Sequence, residues 1–127
     1  MPDLNALNMR IESFRDAMID IQIRLSAIPA KSPESGGQGE SEKAELLLEY
    51  LSATGYDRID LIKAPDLDVS SGYRPNIIAK LKGESSEKTI WIMTHMDVVP
   101  AGELSLLKGD PFHAWVEGVM IYGRGVE

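Results

Sequence analysis

The sequence of 127 residues predicts an α/β fold in which a mixed β-sheet packs against helices. In the first part of the chain, apolar residues recur with helical spacing. Later, short β-branched runs are bounded by turn residues, which is typical of strands. Helices and strands that share one core define this class. The length allows one domain or part of one, with enough apolar residues for a core.

The sequence predicts a long helix over residues 1–28, with clear periodicity from residue 4. Its apolar stripe consists of Leu4, Leu7, Ile11, Phe14, Met18, Ile21, Leu25 and Ile28. We expect this stripe to pack on its own domain, although the same spacing also fits a coiled-coil seam. Pro29 ends the helix, and residues 29–41, rich in Pro, Ser and Gly, predict a flexible loop. This loop lacks the lysine and the spacing of a phosphate-binding P-loop.

A second helix is predicted over about 42–54, capped by Ser41 and followed by Gly55 in a left-handed conformation. Its predicted buried face consists of Ala44, Leu47, Leu48 and Leu51. Strands are predicted at 58–64, 76–83 and 89–95, and a hairpin at 114–123 that turns at Glu117 and Gly118. The run at 89–95 is apolar on both faces, which favours a central strand covered by helices.

The charge balance excludes some classes of partner. The net charge is −7, from 20 acidic and 13 basic residues, which argues against a nucleic-acid surface and against anionic membranes. No apolar run approaches the ~20 residues that a membrane span needs. The sequence has no cysteine, so thiolate metal sites and disulfides are excluded, and its start does not resemble a signal peptide. We therefore expect a cytoplasmic location.

The candidate site residues are His95 and Asp97, at the carboxyl end of the predicted strand 89–95. Residues i and i+2 of a strand share a face, and a metal-bound imidazole usually donates its other ring N–H to a carboxylate. The spacing alone is explained as well by an ordinary polar contact. However, the pair follows directly after the apolar residues 90–93, and Pro100 and Gly102 predict an irregular loop beyond it, which favours a functional site.

Two stretches, "THMDVVPAGE" (94–103) and "DPFHAWVEGVMIYGRGVE" (110–127), closely resemble the M20 family of metal-dependent peptidases and deacylases. The stretch "RPNIIAKLKG" (74–83) also resembles the strand that precedes the metal motif there. The family includes acetylornithine deacetylase, succinyl-diaminopimelate desuccinylase and several dipeptidases. The resemblance covers most of residues 40–127. It implies that residues 1–127 are the N-terminal portion of one catalytic domain with a zinc-peptidase-like fold.

The resemblance also implies roles for individual residues. His95 would bind one zinc of a two-zinc site, in which cobalt or manganese can replace zinc. Asp97 would be the catalytic-site carboxylate that orients His95. Residues 123–125 would lead to an aspartate that bridges both metals, expected just after Glu127. The remaining ligands and a glutamate base are expected further downstream, so the 127-residue chain by itself should be inactive.

The implied reaction is amide hydrolysis by a water that two zinc ions activate. Its substrate would be a small N-acyl amino acid or a short peptide, and the full-length enzyme could be a homodimer. Two alternatives remain open. Val126 and Glu127 are closer to dipeptidase-like relatives than to deacylases, and a truncated domain could have only an interaction role. No substrate-binding residue is predicted.

Other residues are given mainly structural interpretations. We expect His113 to be partly exposed in a loop, with a role as a second metal ligand as the alternative. Asp110, Pro111 and Phe112 should shape that loop, and Trp91 and Trp115 should pack in the core or on strands. Arg124 would contact an acidic neighbour or a substrate carboxylate. Solvated positions are expected for the remaining acidic candidates, which are Asp57, Asp60, Asp66, Asp68 and Glu103. An unpaired strand edge would favour self-association.

Overall fold

The structure, a computed structural model, describes residues 3–126, which divide into two compact units. The first unit contains residues 3–28 and 101–126, and the second contains residues 29–100. Over the described range the elements are three α-helices, two short 3₁₀ turns and two antiparallel sheets of two strands each. The predicted α/β class is therefore confirmed, with each sheet antiparallel. The first two residues of the predicted helix 1–28 lie outside the described range.

The first unit begins with two helices in place of the single helix predicted from the sequence. Helix α1 spans Leu4–Glu12 and helix α2 spans Arg15–Ser26. Between them, the hydroxyl of Ser13 donates to the carbonyl of Arg10 at 2.6 Å, and the N–H of Phe14 bonds the carbonyl of Ile11 at 3.0 Å. These bonds tighten the last turn of α1, because a serine side chain competes with the helical pattern for backbone groups.

The second part of the first unit is the predicted hairpin. Strand β3 (Trp115–Glu117) pairs with strand β4 (Met120–Tyr122). The turn falls at residues 118–119, one residue later than predicted, because Gly118 adopts φ 61°, a conformation that glycine reaches without a Cβ clash. Trp115 stacks on Tyr122 with ring centroids 5.3 Å apart, so its expected packing role is confirmed.

The second unit contains helix α3 (Ser41–Ala53), which contacts the second strand of an antiparallel pair. The strands β1 (Arg58–Pro65) and β2 (Tyr73–Lys80) are in register from Arg58↔Lys80 to Pro65↔Tyr73. Gly55 has φ 78°, as expected after the helix. The predicted cap is wrong: Glu40 holds the N-cap position, and Ser41 is already helical. On the predicted buried face, Ala44 is buried and the three leucines are half-buried.

Residues 89–95 do not form the predicted central strand. No strand is assigned between Lys80 and Trp115, and residues 90–93 are exposed by 89, 69, 90 and 86% of their surface. The expectation that Trp91 packs in a core is therefore wrong as well. A strand needs a neighbour for its backbone groups, and within residues 3–126 no other segment pairs with this one. The apolar residues of this segment favour burial, but the described residues provide no surface that covers them.

The loop before α3 is closed by hydrogen bonds within itself. The N–H of Gly39 donates to the carbonyl of Lys31 at 2.9 Å, and a 3₁₀ turn forms at Pro33–Ser35. Gly37 leaves no space for a side chain, because a Cβ there would lie 2.1 Å from the oxygen of Lys31. The loop therefore brings the chain back toward α3 in a defined conformation.

Candidate metal centre

The segment that carries His95 and Asp97 is an irregular loop of the second unit. One residue after Asp97, the N–H of Val98 donates to the carbonyl of Ala30 at 2.9 Å. Ala30 is fully buried, at 0% exposure. The backbone beside Asp97 is therefore attached to the segment that enters the loop before α3, although no strand is present to hold it.

The side chains of His95 and Asp97 are in contact. Nδ1 of His95 lies 2.9 Å from the backbone oxygen of Asp97 and 3.2 Å from its carboxylate Oδ1. Two oxygen acceptors at Nδ1 favour the tautomer with the proton on that nitrogen, which leaves the lone pair of Nε2 for a metal ion. The imidazole is 82% exposed, so it is accessible from solvent. The expected contact is thus present, but a loop conformation produces it rather than strand alternation.

The donor set is incomplete for a catalytic metal. Within residues 3–126, no group of three or more His, Cys, Asp or Glu side chains is arranged to hold an ion. Catalytic zinc sites normally use about three protein ligands. One imidazole with an orienting carboxylate fits a single ligand position of such a site.

Lys43 is a charged residue of the same unit, and its burial was not predicted from the sequence. It belongs to the first turn of α3, and only 7% of its surface is exposed. Burial lowers the pKa of Lys43, while the negative charges of Asp97 and Glu40 act in the opposite direction. The sequence did contain one indication of this burial: Lys43 lies four residues before Leu47, which places it on the apolar side of the helix.

The "DPF" and "YGRG" motifs contact each other in the first unit. The carboxylate of Asp110 accepts the N–H of Phe112 at 2.9 Å, so Asp110 shapes the loop as expected. The N–H of Arg124 donates to the carbonyl of Pro111 at 2.6 Å. Gly123 lies against Ala114, where an added Cβ would approach the alanine Cβ to 2.8 Å. These contacts are structural, and His113 beside them is exposed.

The acidic candidates have ordinary structural partners. Asp57 accepts the N–H of Lys82 at 2.6 Å, and Asp66 accepts the N–H of Asp68 at 2.9 Å. Asp60 forms ion pairs with Arg58 and Lys80. Glu103 is exposed and accepts the hydroxyl of Ser105. These carboxylates therefore support turns and strands.

Comparison with known proteins finds metallohydrolases and deacylases. An uncharacterised metallohydrolase of Methanococcus maripaludis is 34% identical over 121 residues, which cover 92% of this chain and 29% of that protein. A succinyl-diaminopimelate desuccinylase of Polynucleobacter necessarius is 28% identical over 111 residues, 86% of this chain and 27% of that protein. An acetylornithine deacetylase of Dictyostelium discoideum is 38% identical over 86 residues, 64% of this chain and 19% of that protein.

The chain is similar to part of these metallohydrolases and deacylases, which confirms the predicted resemblance to the M20 family. It spans between 19 and 29% of the length of the relatives just described. No family model and no solved structure matches the chain. Among the described residues, no helix has both the length and the apolar character required to cross a membrane.

Proposed function

We propose that the chain supplies one metal ligand and its orienting carboxylate to an amidohydrolase that acts on small N-acyl amino acids. The observation that carries this proposal is the contact between Nδ1 of His95 and Asp97, which leaves Nε2 available. The names of two relatives, a desuccinylase and a deacetylase, support the substrate class. The name metallohydrolase supports a metal cofactor.

Each residue of the pair has a separate role in this proposal. His95 binds the ion through Nε2, and zinc is the metal we propose, with two ions in the complete site. Asp97 accepts a hydrogen bond from the N–H at Nδ1, so it fixes the tautomer and the direction of the ring. The bound metal would polarise the acyl carbonyl and lower the pKa of a water molecule. We place this reaction in the cytoplasm.

The 127-residue chain alone should not carry out the reaction, because it offers one clear ligand where about three are needed. Zinc titration by calorimetry is expected to show weak binding. Assays with N-acetyl and N-succinyl amino acids are expected to show no hydrolysis. Tight stoichiometric zinc binding by this chain, or hydrolysis by it, would contradict the proposal.

The role of His95 is tested in the full-length hydrolase that this proposal implies. We expect His95→Ala to lower the metal content and to abolish hydrolysis, because the ligand atom is removed. His113→Ala is the matched control, since His113 is an exposed loop histidine in the other unit. Equal metal content and activity in both variants and the unmodified protein would overturn the assignment.

Two alternatives are separated by direct observations. A dipeptidase, which Val126 and Glu127 favour, would show a higher kcat/KM for dipeptides than for N-acyl amino acids. A non-catalytic domain would have a stop codon directly after codon 127. An aspartate codon there, followed by a few hundred further codons, supports the hydrolase.

A further inference from the structure

The first unit contains a cavity between helix α2 and the hairpin of β3 and β4. Its volume is about 490 Å³, which is within the range of pockets that hold small molecules. We propose that this cavity binds the chain of a medium-length aliphatic carboxylate, and that the guanidinium of Arg15 binds the carboxylate group. This inference does not rest on the proposed function, because it uses residues of the first unit alone.

One wall of the cavity is a single face of helix α2. The lining residues on this helix are Arg15, Met18, Ile19 and Gln22. Their spacing of i, i+3, i+4 and i+7 places all four side chains on one side of the helix. Met18 is 50% exposed, so part of this apolar surface is still in contact with water. The face is therefore apolar in its middle and has a cation at the start of the helix.

The opposite wall is one face of the hairpin. Val116 and Ile121 are paired across the two strands, and both line the cavity. Because side chains alternate between the faces of a strand, the stacked rings of Trp115 and Tyr122 lie on the other face. Among the described side chains that line the cavity, none is aromatic. An aliphatic lining that includes flexible methionines adapts well to an aliphatic chain.

Hydrogen bonds hold the two walls in place around the cavity. The amide nitrogen of Gln22 donates to the carbonyl of Gly125 at 3.3 Å and to the hydroxyl of Ser26 at 3.3 Å. The first of these bonds joins α2 to the segment that follows β4. A pocket whose walls are already in place loses less entropy when a ligand enters it.

The charge of the lining indicates which end group the ligand carries. Among the described residues of the lining, Arg15 is the one with a charge. Within residues 3–126, no carboxylate forms an ion pair with its guanidinium. A guanidinium presents a planar fork of donors that matches the geometry of a carboxylate. The apolar walls and this cation are together complementary to an anion with an aliphatic chain.

The first test is methyl NMR of the 127-residue chain during titration with decanoate, at concentrations below micelle formation. The ε-methyl signals of Met18 and Met120, which line the cavity, are expected to shift together and to saturate. The signal of Met93, which is 86% exposed and lies in the other unit, is expected to stay unchanged. Octanoate, which is two methylenes shorter, should bind about 10-fold more weakly. Shifts of equal size at all three methionines would show unspecific adsorption and would overturn the proposal.

The second test removes the cation. We expect Arg15→Met to weaken the binding of decanoate by about 10-fold, because hydrogen bonds to a charged group are lost. The same change should not weaken the binding of uncharged decanol. Arg24→Met is the matched control, since Arg24 is an exposed arginine of the same helix that is not among the lining residues. Equal affinities of decanoate and decanol for the unmodified chain would overturn the role of Arg15.

The other occupant to be distinguished is a second copy of the chain. In that case, sedimentation velocity would show an association that Met18→Glu abolishes and Ile92→Lys does not, and decanoate would leave the signals of Met18 and Met120 unchanged. That result would overturn the proposal. The expected result is that decanoate binds to the unmodified chain and that Met18→Glu, which places a like charge beside the ligand, abolishes this binding.

Discussion

The guanidinium of Arg74 donates two hydrogen bonds to the carboxylate of Glu40, and this joins strand β2 to the residue that precedes α3. Glu40 is only 5% exposed, and the bond to it raises the pKa of Arg74. We expect Arg74→Met to lower the free energy of unfolding by about 2–3 kcal/mol, because a buried carboxylate loses charged hydrogen bonds. Urea denaturation of the 127-residue chain measures this change.

The matched control is Arg58→Met, which removes an exposed ion pair with Asp60 on the neighbouring strand. Exposed pairs contribute at most about 1 kcal/mol, so a small change is expected there. If both variants lose the same stability, the bond between Arg74 and Glu40 has no special importance.

A second prediction concerns the close approach of Gly123 to Ala114. Gly123→Ala would place a Cβ 2.8 Å from the Cβ of Ala114 at a φ of 154°. We expect a loss of about 1–3 kcal/mol in the free energy of unfolding, from overpacking and backbone strain. Gly83→Ala is the control, because its nearest contact would be an ordinary 3.6 Å. Equal melting temperatures for both variants would show that this contact tolerates a methyl group.

A third prediction concerns the exposed apolar segment 90–93. Four consecutive large apolar side chains that are exposed to solvent favour association between copies of the chain. Sedimentation velocity of the 127-residue chain is expected to show concentration-dependent association that Ile92→Lys weakens. Leu67→Lys, which changes an isolated leucine of 95% exposure, should leave association unchanged. A clean monomer at all concentrations would contradict this prediction.

A fourth prediction follows from the lowered pKa of Lys43. Burial disfavours the charged lysine in the folded state, so the unfolded chain binds this proton more readily between the folded pKa and the ordinary value of 10.5. The contribution of Lys43 to the free energy of unfolding therefore rises with pH through that window. The destabilising contribution is fully present below the folded pKa.

Urea denaturation from neutral pH to about pH 10, compared between the unmodified chain and Lys43→Met, measures this contribution. The difference in stability should favour the variant most at neutral pH and should decrease as the pH rises. A constant difference across the range would show that the proton on Lys43 is not linked to folding.

Local patterns in the sequence were sufficient for several elements. Helix α3, the strands β1 and β2 and the hairpin of β3 and β4 depend on spacing and turn residues within one segment. The division of the first helix was missed, because the side chain of Ser13 bonds a helical carbonyl, and a stripe of apolar residues does not reveal that competition.

Sequence patterns did not predict the interactions between residues that are distant in the chain. Strand formation at 89–95 depends on a partner, and the described residues contain none. The pairing of His95 with Asp97 was predicted because it is local, although the strand geometry used to explain it was wrong. The electrostatic effect of Asp97 on Lys43 was missed because the two residues are distant in the chain.

The short separation between His95 and Asp97 has a consequence for assembly. Closing a contact across two residues costs very little loop entropy, so the ring can meet its acceptor before distant parts of the polypeptide are in place. If His95 is a ligand as proposed, its ring would already be oriented before the ion and the more distant donors arrive.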